Sequence, residues 1–141
     1  MKRLNQGPLS RALSTDFFDA IKFNDFMRLE LIVREDPFLV LDYDHIGMTG
    51  LHWACKKGYE RIADILMDRH ADLYATDLLR RTPLDLALKL ENTHLMNNLY
   101  QRLNVLKKSR MRLRNINAMS RKQKDAEIKS PKAINSSQIP K

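Results

Sequence analysis

Few residues with special covalent or backbone chemistry occur in this sequence. Its 141 residues include one cysteine, Cys55, together with four glycines and five prolines. A single cysteine excludes an internal disulfide framework and fits a reducing, intracellular compartment. No apolar run approaches the roughly 20 residues that cross a bilayer, so we expect a soluble protein. The glycines form no Gly-x-x-x-x-Gly-Lys loop, which excludes a nucleotide site of that type.

Charge is unevenly distributed along the chain. Residues 1–15 contain three basic residues and no acidic one, and residues 16–106 contain 11 basic and 15 acidic residues. Residues 107–141 contain 11 basic and two acidic residues, so the net charge of +8 comes from the two ends. A basic end of this kind attracts nucleic acid, anionic lipid or acidic protein surfaces without choosing among them.

The amino terminus allows two interpretations. Residues 1–14 are basic and leucine-containing with no acid, a composition that mitochondrial targeting segments share. Gly7 and Pro8 interrupt any continuous amphipathic helix there, so we predict an ordinary basic arm over residues 1–12. The cytoplasm is then the expected location, with the mitochondrion and the nucleus as alternatives.

The most informative feature that is present is a repeat. Residues 44–54 read DHIGMTGLHWA and residues 77–87 read DLLRRTPLDLA, which places Thr49 and Thr82 33 residues apart. This period is typical of stacked helix-turn-helix units, none of which can bury its apolar face alone. An apolar stripe at helical spacing follows the first copy, formed by Ile62, Ala63, Ile65 and Leu66.

This repeat resembles the ankyrin repeat family, whose unit consists of a β-hairpin tip, an inner helix and an outer helix. The likeness rests mainly on Gly47, Thr49, Leu51, His52, Ala54 and Gly58, which stand in the family's order. Gly50 departs from it, because the family has proline there. The resemblance implies an all-α fold, a short ankyrin-type α-solenoid of helix-turn-helix repeats.

We predict an ankyrin repeat domain over residues 13–106, with three units over residues 13–44, 45–77 and 78–106. The first unit is degenerate and lacks a hairpin. A shift of 34 residues lays Thr15 on Thr49, a predicted helix start. The same shift lays Asn24 on Gly58, and asparagine tolerates the left-handed conformation that a glycine adopts there.

The third unit departs from the family pattern at its turns. Arg80 replaces the turn glycine, Asp85 replaces the histidine, and Glu91 with Asn92 replaces a Gly-His turn. Closing repeats are often atypical because one of their faces meets water. Pro83, at the first helical turn, favours a helix start after Thr82.

Two residues of the best copy could suggest catalysis. His52 and Cys55 lie three apart, a spacing that a nucleophile and its base could share. The resemblance instead implies that His52 ties its repeat to the next by hydrogen bonding and that Cys55 packs in a small site. His45, His70 and His94 lack the close pairing of zinc sites. We therefore predict no enzyme activity, no catalytic residue, no metal and no cofactor.

The carboxy-terminal part reads as one long helix followed by a tail. From Thr93 onward, apolar residues recur at helical spacing, and neither glycine nor proline occurs before Pro131. We predict a basic C-terminal helix and tail over residues 107–141, with disorder from Lys129 on when the chain is alone. The basic residues expected to contact a partner there are Lys107, Lys108, Arg110, Arg112, Arg114, Arg121, Lys122 and Lys124.

The resemblance also implies where partners bind, namely the hairpin tips and the face of the inner helices. The residues in those places are Asp44, His45, Ile46, Met48, Trp53, Lys56, Lys57, Leu78, Leu79, Arg80, Arg81, Leu86 and Lys89. Trp53 is either an exposed interface anchor or packed under the first unit. Leu78 and Leu79 are either exposed for binding a partner or buried against the long C-terminal helix.

The sequence thus predicts a non-catalytic protein–protein interaction module that acts as an adaptor or accessory structural subunit of a larger assembly. The alternative is a nucleic-acid-associated protein, such as a ribonucleoprotein subunit, that binds phosphates through its basic tail. No aromatic residue follows Tyr100, so base stacking on the tail is excluded. Neither interpretation involves a small-molecule substrate.

Overall fold

A computed structural model describes residues 8–129 of the chain. Its helices are α1 (Pro8–Lys22), α2 (Phe26–Glu35), α3 (Gly50–Lys57), α4 (Glu60–Asp68), α5 (Pro83–Leu90) and α6 (Thr93–Lys129), with a 3₁₀ helix over Pro37–Leu41. The fold is all-α, as predicted. The expectations for residues 1–7, as arm or targeting segment, and for residues 130–141, as disordered tail, lie outside the described residues.

The helices of the repeat region form two layers. Helix α3 lies between α1 and α5 and contacts both, and the outer helix α2 packs against the outer helix α4. The first turns of α6 join the outer layer, since the Asn98 side-chain amide donates to the Asp64 carboxylate at 3.1 Å. Three helix pairs side by side are an α-solenoid of the expected type.

The chain divides into two compact units. The first ends at Gln101 and contains the solenoid, and the second begins at Arg102. Up to Lys129 the second unit consists of the remainder of α6. Our predicted boundary lay slightly later, at residue 106. A helix that continues without a glycine or proline carries no local signal for the end of the packed region.

Helix α1 begins earlier than predicted. It starts at Pro8, inside the predicted arm, and Thr15 is an interior residue whose hydroxyl donates to the Arg11 carbonyl at 2.9 Å. Proline is favourable in a first helical turn, and no glycine or further proline between Pro8 and Thr15 ends the helix. The placement of Thr15 at a helix start is therefore wrong, and residues 8–12 are helical.

The two clear copies start their inner helices identically. Thr49 caps α3 and accepts from the His52 N–H, and Thr82 caps α5 and accepts from the Asp85 N–H. In both, the side chain of the third helical residue accepts from the cap backbone N–H, which completes a capping box. The equivalence of Thr49 and Thr82 is thereby confirmed.

Each inner helix is followed by a residue with a positive φ. The values are 57° at Asn24, 73° at Gly58 and 57° at Glu91. The interpretation of Asn24 as the counterpart of Gly58 is confirmed. Glu91 adopts the same left-handed conformation without the help of a small side chain, which costs about 1–2 kcal/mol of local backbone energy.

Gly50 departs from the family pattern for a packing reason. A Cβ atom at this position would lie 2.7 Å from Ile21 Cδ1 and 2.8 Å from Phe17 Cζ. Both of these side chains are fully buried between α1 and α3. The bulky first unit therefore requires glycine where the family has proline.

Candidate functional site

The two hairpin tips are built around equivalent aspartates. The Asp44 carboxylate accepts from the backbone N–H groups of Ile46 at 3.1 Å and Met48 at 2.9 Å. The Asp77 carboxylate accepts from the backbone N–H groups of Leu79 and Arg81, both at 2.9 Å. Each aspartate thus folds the following chain into a tight turn by a local side-chain to backbone bond.

Asp77 is buried and its charge is strongly compensated. Burial alone would raise the pKa of its carboxyl, but hydrogen bonds from Arg81 and Leu79 and the charge of Arg81 outweigh it and lower the pKa. The guanidinium of Arg81 contributes two contacts to Asp77 Oδ2, from Nε at 2.8 Å and from Nη2 at 2.7 Å. The second tip is therefore held together by an ionised carboxylate.

Replacing Asp77 with asparagine is expected to remove part of the acid sensitivity of folding. An unfolded aspartate titrates near ~3.9, and the lower folded pKa means that the charge stabilises the fold above that value. This contribution is lost as the pH falls through the folded pKa. At pH 7 the variant should lose about 1–2 kcal/mol. Urea denaturation at several pH values measures the deficit, which should shrink below about pH 4; a pH-independent deficit contradicts this account.

The tips are joined to each other and to the inner helix beneath them. The Leu78 N–H donates to the Ile46 carbonyl at 3.1 Å. Buried His52 accepts from the Thr49 N–H through Nδ1 at 3.1 Å, so its proton lies on Nε2, which donates to the Arg81 carbonyl at 2.9 Å. His52 thus links its own helix cap to the next repeat, as the resemblance implied.

Comparison with known families agrees with this geometry. A family model described as ankyrin repeat matches residues 46–78. Over these 33 of its 141 residues the chain is similar to an ankyrin repeat. The matched residues extend from the first tip through α3 and α4 to the start of the second tip, and they include the Thr49–His52 capping box. A comparison with curated proteins gives no match.

Ankyrin repeats are protein–protein interaction modules, and they are typically non-catalytic. The chemistry of the one cysteine is consistent with a packing role. Burial raises the pKa of the Cys55 thiol to about 12, so at neutral pH it remains protonated and is not the thiolate that attacks a substrate. Both ring nitrogens of His52 are already hydrogen-bonded, Nδ1 within its own repeat and Nε2 to the next one.

Trp53 lies on the inner-helix side of the ankyrin repeat and is half-buried. Its indole N–H donates to Asp44 Oδ2 at 2.7 Å, which fixes the orientation of the ring. The ammonium groups of Lys22 and Lys56 lie over the ring, at 5.0 and 4.9 Å from its centroid. These two cation–π contacts bring two positive charges close to one indole ring. Trp53 is neither fully exposed nor fully packed under the first unit.

Lys22 was missed by the sequence-based prediction of the site. It lies in the last turn of α1, as Lys56 does in α3 and Lys89 in α5. The signal was available, because the 34-residue shift that relates the first unit to the second lays Lys22 on Lys56. The degenerate first unit therefore contributes a residue to the same face as the other two.

A shallow groove lies next to Trp53. It has a volume of about 230 Å³ and is lined by Lys56, Arg81, Leu86, Lys89 and Leu90. Leu86 is only 4% exposed and forms its floor, whereas Leu90 is 46% exposed. The groove therefore combines an apolar floor with positively charged walls.

Four predicted contact residues have structural roles instead. Met48 is completely buried, because the tip closes on itself and turns this side chain into the core. Leu86 is buried too, apart from the floor of the groove. The carboxylate of Asp44 and the guanidinium of Arg81 are engaged within their own tips. The prediction of Met48 as an accessible partner contact is therefore wrong, and Leu86 is accessible only through the groove.

The remaining tip residues are accessible. His45 is exposed and Ile46 is partly exposed. Leu78 and Leu79 are each 72% exposed, so the alternative in which they are buried is wrong. Arg80 is exposed and adopts a positive φ of 58°. Lys57, one residue beyond Lys56 on α3, is exposed as well.

The second unit presents basic residues along α6. Residues 104–126 are exposed throughout. At 3.6 residues per turn, one face of the helix carries Lys107, Arg110, Arg114, Arg121 and Lys124. The other predicted tail residues, Lys108, Arg112 and Lys122, lie on other faces of the same helix.

No helix between residues 8 and 129 has both the length and the apolar character of a membrane span. In the same part of the chain, no group of three or more histidine, cysteine or acidic residues is placed to hold a metal ion.

Proposed function

We propose that this chain is a non-catalytic adaptor, or an accessory structural subunit, that docks into a larger protein assembly. The observation that carries the proposal is the second tip. Two adjacent leucines, each 72% exposed, project from a turn that is braced by the ion pair between Arg81 and the buried carboxylate of Asp77. A rigid apolar projection loses little entropy on binding and is characteristic of an interface anchor.

The contact surface is formed by the tips together with the inner-helix face. On the tips it comprises His45, Ile46, Leu78, Leu79 and Arg80, and on the inner helices Trp53, Lys56, Lys57 and Lys89. A second contact is proposed for the part of α6 that belongs to the second compact unit. On α6, the apolar residues Ile116 and Met119 are exposed on a face different from that of the aligned basic residues.

Replacing Leu79 with aspartate is expected to reduce binding of protein partners by about tenfold, because a charged side chain replaces an apolar anchor. Quantitative affinity capture with the full-length chain at mild salt measures this. Leu31→Asp is the matched control, since Leu31 is 61% exposed on the outer helix α2. Equal recovery of every partner by the two variants would remove the tip from the proposed surface.

The basic face of α6 supports a second candidate, a nucleic-acid-associated subunit. Lys107 and Lys124 are about 26 Å apart along the helix, and the aligned residues between them match a polyanion better than scattered charges do. This candidate predicts nuclease-sensitive association and strong salt dependence. Changing Lys107, Arg114 and Arg121 to glutamine should then lower the slope of log K against log salt by about 2–3. Nuclease-resistant capture that survives these changes favours the adaptor.

The compartment that we propose for this adaptor is the cytoplasm. A cytoplasmic adaptor fits the reduced state that a single cysteine suggests. The mitochondrion and the nucleus stay as alternatives, the first from the composition of residues 1–14 and the second from the basic residues of α6.

A further inference from the structure

The lysines of the inner helices form a row with the period of the repeat. Lys22, Lys56 and Lys89 each lie in the last turn of an inner helix. Because α3 packs against both α1 and α5, and packed helices are about 8–10 Å apart, the row advances by about that distance from one lysine to the next. Within residues 8–129 none of the three forms an ion pair.

Two of the three exposed lysines are oriented by cation–π contacts. Lys22 and Lys56 both rest over the ring of Trp53, whose orientation Asp44 fixes through the 2.7 Å hydrogen bond. Lys56 and Lys89 line the same groove, above the floor formed by Leu86. Lys56 therefore connects the tryptophan and the groove into one continuous surface, which we call the lysine row.

We propose that the lysine row binds an acidic peptide segment in an extended conformation. A chain in the extended polyproline II conformation has three residues per turn and rises about 3.1 Å per residue, so every third side chain faces the same way and advances about 9 Å, close to the spacing of the inner helices. Acidic side chains at every third position would meet successive lysines. An apolar side chain between two of them would enter the groove and contact Leu86 and Leu90.

A nucleic acid strand fits this surface less well. Proteins that bind single strands stack bases on exposed aromatic rings, but the ring of Trp53 is covered by two lysines. The apolar floor of the groove also offers no donor to a phosphate. An acidic peptide uses both the charges and the leucines, and this inference rests on the proposed function as a protein-binding module.

The test uses synthetic peptides of about ten residues and the full-length chain. One fluorescent peptide carries aspartate at every third position with leucine between, and a second has the same composition with its aspartates clustered. Anisotropy at mild salt should show the spaced peptide binding about tenfold more tightly. Three exposed ion pairs together account for a difference of this size.

Substitutions of the lysines complete the test. Changing Lys22, Lys56 and Lys89 together to glutamine should weaken the spaced peptide about tenfold. Arg34→Gln, at an exposed residue of the outer helix α2, should change its affinity by less than about threefold. Circular dichroism establishes that each variant is folded. Equal affinity for the two peptides, tighter binding of an oligonucleotide of equal charge, or an unaffected triple variant would overturn the proposal.

The failure of this inference is distinguishable from a failure of the proposed function. Partner capture that depends on Leu79 but not on the three lysines would support the adaptor function and contradict the binding of an acidic peptide. Capture that depends on neither would remove both.

Discussion

Replacing His52 with alanine is expected to destabilise the fold by about 3 kcal/mol. The ring is fully buried, and it joins the Thr49 N–H of its own helix cap to the Arg81 carbonyl of the next repeat. Alanine leaves both backbone groups without this partner and opens a cavity. A solenoid of three units is near the minimum for stability, and this loss is a large share of the roughly 5–15 kcal/mol that domains have.

Asp85→Ala is the matched control for this prediction. Asp85 occupies the position of His52 in the next unit and forms the same capping box, at 2.8 Å to the Thr82 N–H, but it is exposed. Its removal should cost only the capping contribution of about 1 kcal/mol. Urea denaturation followed by circular dichroism measures both variants. A similar loss for the two would mean that the link to Arg81 contributes nothing.

Replacing Gly47 with alanine is expected to destabilise the fold by about 2–3 kcal/mol. Gly47 has a φ of 76°, a conformation that costs an L-residue energy. A Cβ atom there would also lie 3.1 Å from the backbone nitrogen of Leu78, which is rigid because its N–H donates to the Ile46 carbonyl. The strain and the close contact would therefore loosen both tips together.

Introducing a glycine at the equivalent position of the second tip should instead stabilise the fold. Arg80 lies 33 residues after Gly47 and has a φ of 58°. Arg80→Gly relieves the backbone strain but increases the freedom of the unfolded chain, so we expect a net stabilisation of up to about 1 kcal/mol. Thermal denaturation compares the pair. Destabilisation by both changes would show that the two tips are not conformationally equivalent.

The period of the sequence was sufficient to predict the central part of the fold. Thr49 and Thr82 mark equivalent helix starts, and Gly58 and Asn24 mark equivalent turns, because caps and positive φ values need particular residue types. The bond from His52 to Arg81 was implied by the resemblance and is present. These features are either local or repeated from unit to unit, so residue types at a fixed spacing are enough to specify them.

Lys22 could have been found from the period, but other features that sequence reasoning missed depend on neighbours that a period does not specify. Met48 stands at a tip, but it is buried because the tip folds back over it. Asp44 was assigned to partner binding, but its carboxylate accepts from the backbone N–H groups of its own tip. The start of α1 at Pro8 could not be read from the shifted repeat, since the other inner helices begin directly after a tip.

The central claim is that a protein partner contacts the tips and the inner-helix face. Site-specific photo-crosslinking in cells tests it most directly, with the reactive residue placed at Leu79, at Lys56, at Leu31 on the outer helix α2, or at Arg114 on α6. Our account predicts one protein adduct shared by positions 79 and 56 and absent from position 31. Adducts from position 31 alone, or only nuclease-sensitive adducts from position 114, would contradict it.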